Sequence, residues 1–113
     1  MAPIIIRSKT ITSLLSIVIS VSAIALFPFI VIRDELTPVQ MNHELIHFEQ
    51  QKELYIIGFY ILYVYDYMKG VLRYKNKDLA YRSIRFEQET YSNESDLGYI
   101  QKRKPNNWKK YSV

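Results

Sequence analysis

A chain of 113 residues with a formal charge of +4 is one domain, with enough residues for a single modest core and too few to enclose a deep substrate cleft unaided. It has no cysteine, which excludes disulfides and thiolate metal sites, so any metal must be held by nitrogen and oxygen. The charge is uneven: Arg33 to Glu53 carries five acids against two bases, whereas the tail "QKRKPNNWKKYSV" carries five bases and no acid. No recognised nucleic-acid module accompanies that tail, so nucleic acid is not the expected partner and residues 105–113 read as a solvated basic terminus.

The N-terminal apolar segment, residues 1–32, includes 22 consecutive uncharged positions, "ITSLLSIVISVSAIALFPFIVI" from 11 to 32. That length meets the criterion for a transmembrane helix, with Arg7 and Lys9 holding the N-terminus on the cytoplasmic side. The same letters fit a signal peptide with a small-x-small site at Ala23-Ile24-Ala25. They also fit two buried strands, because Ile, Val and Phe dominate and Pro28 is awkward inside a helix. The expected location is membrane-associated, on a side the sequence leaves open.

The helical domain expected over residues 33–104 begins at "RDELTPVQMNHE". Thr37 is placed to cap, Pro38 suits the first helical position, and Gln40 completes a capping box. The helix should run through "HFEQQKELYIIGFYILYVYDYMKG" to Gly70 as one helix or two, bending at Gly58. On its first turns lie the only histidines of the chain, His43 and His47, with Glu44 between them. Four residues apart on a helix, the two imidazoles project from one face and can share an ion. In an HExxH zinc site two neutral nitrogens bind the metal, and the free carboxylate, here Glu44, deprotonates a bound water.

Farther along, Tyr60, Tyr63, Tyr67 and Tyr74 form a stripe suited either to a lipid headgroup boundary or to packing against the last helix with the hydroxyls reaching water. Asp66 and Lys69 are spaced for a local ion pair. The last helix is expected over 78–102, capped by Asp78. On it Ala80, Ile84, Glu87 and Tyr91 share one arc, while Glu89 falls at the edge of the polar side with Arg82 and Arg85 as partners. An inward Glu87 needs a counter-charge, because burying a lone carboxylate is costly. A zinc ion on His43 and His47 would provide one.

His43, Glu44, His47 and Gln50 match the HExxHxxQ form of several small bacterial gluzincin-like proteins, and "FEQETY" resembles the Glu-x-Glu-Ala-Asp segment that supplies their third zinc ligand. The resemblance covers residues 26 to 94, with "ALFPFIVI" similar to the apolar strand before the zinc helix of membrane-associated gluzincins. It implies a minimal zincin-like helical core, a mainly α fold preceded by a transmembrane helix or short β-hairpin. It also implies Glu87 as ligand glutamate, Thr90 in place of alanine, and Tyr91 where an aspartate orients a histidine. A shifted register would use Glu89 with Asn93; the helical face favours Glu87.

The site closes only if residues 11–32 and 54–74 do not both span a bilayer, unless it lies within the membrane. The resulting expectation is a zinc metallopeptidase acting on a peptide or protein substrate, with zinc on His43, His47 and Glu87, Glu44 as general base and Tyr91 at the oxyanion. The alternative is a non-catalytic membrane or assembly protein, in a larger complex, whose metal or polar network ties two helices together.

Overall fold

The computed structural model describes residues 3–10 and 23–113. Three short strands, β1 (Ile4–Arg7), β2 (Ala23–Leu26) and β3 (Phe29–Ile32), form a sheet of order β1-β3-β2, with β1 parallel and β2 antiparallel to β3. The helices α1 (Pro38–Glu53), α2 (Ile57–Tyr74), α3 (Lys77–Ser83), α4 (Arg85–Asn93) and α5 (Tyr99–Lys102) follow, then a 3₁₀ turn at Asn107–Lys110. The fold is mainly helical with a small sheet.

A helix over residues 11–32 does not form, because its last ten positions make the β2–β3 hairpin with Phe27 and Pro28 in the turn. Proline cannot continue either ladder, and a turn is where its missing N–H costs nothing. The rest of that segment, 11–22, lies outside the described residues. The small-x-small triplet Ala23-Ile24-Ala25 is part of β2. Among the described residues no helix is long and apolar enough to cross a membrane.

Helix α1 starts as its letters dictate: Thr37 Oγ1 accepts from the Gln40 amide, the Gln40 side chain accepts from the Thr37 amide, and Pro38 takes the first position. It stops earlier than expected. The chain turns at Leu54–Ile56, where Tyr55 and Ile56 adopt positive φ, and Gly58 lies inside α2. Gly70 does not end α2 either; the helix runs to Tyr74 and Lys75 takes the left-handed cap. Gly70 is needed for closeness, because a Cβ there would meet Ala80 Cα at 2.9 Å and Ser83 Oγ at 2.8 Å. A side chain at this crossing would push α2 and α3 apart.

The expected last helix is broken in three. Asn76, not Asp78, caps α3 by accepting from the Asp78 and Leu79 amides. Ile84 is extended, and Asp66, fully buried on α2, accepts the Arg85 amide and both arms of the Arg85 guanidinium. Asp66 thus pairs with Arg85 at 2.9 Å rather than with Lys69, capping α4 in place of an N-terminal side chain.

Two apolar clusters hold these parts. Ala25, Ile30 and Ile32 pack on Phe48 of α1, and Phe59, Ile84, Phe86 and Trp108 pack between α2, α4 and the tail. The tail is therefore not a solvated terminus: Trp108 is buried and packs tilted against Phe86, with ring centroids 4.9 Å apart. An indole ring buries enough apolar surface to draw the tail inward while Lys109 and Lys110 beside it stay exposed.

Candidate metal centre

Helix α1 presents His43 and His47 on one face, and α4 brings Glu87 against both. Glu87 Oε1 lies 3.2 Å from His47 Nε2 and 3.5 Å from His43 Nε2, and the candidate ligand atoms of the three residues all lie within 4.8 Å of one another. His47 and Glu87 are buried, and the His43 side chain is only 12% exposed. The remaining Glu87 oxygen accepts from the Tyr63 hydroxyl at 2.6 Å.

The far nitrogens of both imidazoles are also engaged. Gln50 Nε2 donates to the Phe86 carbonyl and to Glu89 Oε1, so its Oε1 is turned to His47 Nδ1 at 2.8 Å and must accept from it. His43 Nδ1 lies 2.6 Å from Glu94 Oε2, a carboxylate that accepts. Both histidines therefore carry a proton on Nδ1 and aim Nε2 at the shared point, the arrangement in which a neutral imidazole binds a metal.

Glu94 was not legible as a site residue. It stands seven positions after Glu87, two helical turns on, and reaches the site because α4 ends beside the start of α1, where Asn42 Nδ2 donates to the Glu94 and Asp96 carbonyls. It supplies the acid that Tyr91 cannot. Replacing Glu94 with Ala should lower metal affinity roughly 10–100-fold without loss of fold, read by competition with a chromophoric chelator. Unchanged affinity would show that His43 needs no outer partner.

Tyr91 packs edge-on against His43 with ring centroids 4.8 Å apart, while its hydroxyl is 3.3 Å from that of Tyr81. Glu44 is not among the convergent atoms. Burial raises its pKa, opposed by the nearby charges of His47 and His43 and reinforced by that of Glu87, so its carboxyl lies within electrostatic reach of all three. Glu89 is a correction. It does not sit at the polar edge with Arg82 and Arg85 but is fully buried, accepting from Arg103, Tyr99 and Gln50. It reaches the site through Gln50, which holds His47, so Glu87 stands at the site and Glu89 supports it.

Without metal, the cluster is a buried ion pair. Burial opposes protonation of His47, but the charge and hydrogen bond of Glu87 overcome it and push its pKa up to about 9. Burial would raise Glu87, yet His47, His43 and Tyr63 hold it well below the usual carboxylate range. The raised His47 stabilises the fold fully below its ordinary value of 6.5 and less as pH climbs towards about 9. The lowered Glu87 stabilises it above 4.5 and less as pH falls below that. The metal-free protein should thus be most stable between these limits and lose stability on either side, by denaturant titration at several pH values. A stability that rises steadily from pH 6 to 9 would contradict this pairing.

No family model, curated protein or solved structure matches this chain.

Proposed function

We propose that the protein is a zinc-dependent metallopeptidase of minimal, zincin-like build. The observation that supports this most is the convergence of His43 Nε2, His47 Nε2 and Glu87 Oε1 with Glu44 at their side. The donor set is two imidazoles and one carboxylate, which is a catalytic rather than a structural ligand set because it leaves a fourth position open. Ligands about 2.0–2.1 Å from a tetrahedral ion stand about 3.3 Å apart. The His–Glu separations of 3.5 and 3.2 Å match that spacing.

When bound there, zinc supplies a Lewis acid that polarises a scissile carbonyl and makes a water acidic near neutral pH. The residues of the chain do the rest. Glu44, whose carboxyl lies within electrostatic reach of His43, His47 and Glu87, takes the proton from the attacking water and passes it to the leaving amine. Gln50 and Glu94 hold the imidazoles in register, and Tyr63 fixes the Glu87 carboxylate. The exposed side of the site is flanked by Tyr91, whose hydroxyl lies 3.3 Å from that of Tyr81, and Tyr91 is the O–H donor assigned to the oxyanion. Cleavage of a mixed peptide library that stops on chelation and returns with added zinc tests the reading; a zinc-loaded protein that cleaves nothing refutes it.

The alternative, a structural metal that ties α1 to α4, draws on one observation: the Glu87 side chain is only 3% exposed and that of His47 only 9%. On that reading chelation lowers the unfolding midpoint and no peptide is cut.

A further inference from the structure

Helix α2 is apolar on both faces. One face carries Phe59, Tyr63 and the Asp66–Arg85 pair into the interior. The opposite face presents Ile57, Ile61, Val64, Tyr65, Met68 and Leu72, each more than half exposed, as a continuous stripe. At 100° per residue these six positions fall within an arc of about 100°, centred roughly opposite Phe59 and Asp66. With the inner face already packed, this outward apolar stripe calls for an apolar medium against it. Tyr63 and Tyr67, expected in the aromatic stripe, pack inward, so the outward face is chiefly aliphatic.

The charges around the stripe are of one sign. From Tyr55 to Lys77 the only acid is Asp66, buried and paired with Arg85, whereas Lys69, Arg73, Lys75 and Lys77 are all exposed. The next exposed acid, Asp78, belongs to the first turn of α3. Exposed Tyr55 and Tyr74 stand at the two ends of the helix, where an aromatic ring with a polar tip suits a water–lipid boundary.

We propose that this face of α2 docks on a bilayer containing anionic lipid, with α2 lying in the interface plane and its aliphatic stripe among the acyl chains. The chemistry is that of an interfacial helix: apolar area supplies the partition energy and the cations add attraction to a negative surface. A second copy of this chain is the poorer occupant. An isologous pair across the stripe would bring exposed cations together with no exposed acid on either α2 to meet them. Docking in this way leaves the metal cluster on the inner side of α2, where Tyr63 meets Glu87, clear of the lipid.

The test uses the full chain and vesicles of phosphatidylcholine alone or with 30% phosphatidylglycerol. Sedimentation should show strong partition to the anionic vesicles, weaker partition to the neutral ones, and a decline with added salt. Ile61→Asp with Leu72→Asp should lower partition at least tenfold, and Lys69→Glu with Lys75→Glu should remove the preference for anionic lipid. All four positions are exposed, so circular dichroism and metal binding should stay as in the parent. Met68→Trp should shift indole emission to the blue on anionic vesicles relative to the parent. Partition unchanged in the Asp pair would assign binding to another segment, residues 11–22 included, and overturn the proposal. So would a lack of partition by the parent, or a stable dimer dissolved by Ile61→Asp in a protein that ignores vesicles.

Discussion

Glu44→Gln should leave the fold and the metal content intact and reduce peptide hydrolysis by about 10²–10⁴-fold, the usual contribution of a positioned general base. Glutamine has the shape of glutamate and cannot take a proton from water. The metal should remain because Glu44 lies outside the set of His43, His47 and Glu87 that converges on one point. Its environment is nonetheless tied to theirs, since its carboxyl responds to the charges of both histidines and of Glu87. Metal analysis, thermal unfolding and turnover on a susceptible peptide, measured side by side, make the comparison. Cleavage that survives the substitution unchanged would sink the proposed mechanism even if zinc binds one to one. Absence of chelator-sensitive cleavage in both forms, with a lower unfolding midpoint on chelation, would favour the structural role.

The two glutamates of α4 should fail in different ways. Glu87→Ala removes the proposed third ligand and should weaken zinc by more than the roughly 10–100-fold typical of an outer partner. Glu89→Ala should act first on stability. It leaves the Arg103 guanidinium, 4% exposed, with Glu53 as its remaining partner among the described residues, and it strips acceptors from Tyr99 and Gln50. Breaking a buried ion pair from one side costs about 3–5 kcal/mol. Zinc binding should then weaken only secondarily, through a Gln50 amide free to flip away from His47. Denaturant titration of the metal-free variants and a zinc competition assay separate the two effects. Glu89→Gln, which loses the charge but keeps an acceptor, serves where Glu89→Ala does not fold. Normal zinc binding in Glu87→Ala together with its loss in a stably folded Glu89 variant would reverse the assignment of these residues.

Much of the centre could be read from local spacing. His43 and His47 share a face because a helix returns after four residues, and the helix itself was marked by Thr37, Pro38 and Gln40, whose capping bonds form as their letters imply. Glu87 was recognisable as an acid on an apolar arc. Glu89 was misread because the arc was drawn on an unbroken helix. Ile84 interrupts it, and the restarted α4 buries Phe86, Glu87, Glu89 and Thr90 together. The cause of the break is Asp66, nineteen residues upstream, and helical periodicity carries no information about a partner at that distance.

The sequence by itself determined the two candidate ligands on α1, their common face, the start of that helix and the helical character of the chain after Thr37. All of these follow from contacts within four residues, where backbone geometry leaves few choices. The tertiary structure alone decided which α4 carboxylate meets the histidines, and it put Glu94 and Gln50 behind their Nδ1 atoms. It turned residues 23–32 into a hairpin, with Gln51 bonded to the Phe27 amide and the Ala25 carbonyl, and it drew a basic tail inward around Trp108. The Gln50, Gln51 and Glu94 side chains found polar partners far along the chain, because leaving them unpaired on burial would cost more than local preference could offset, whereas Trp108 was drawn in by its apolar contact with Phe86.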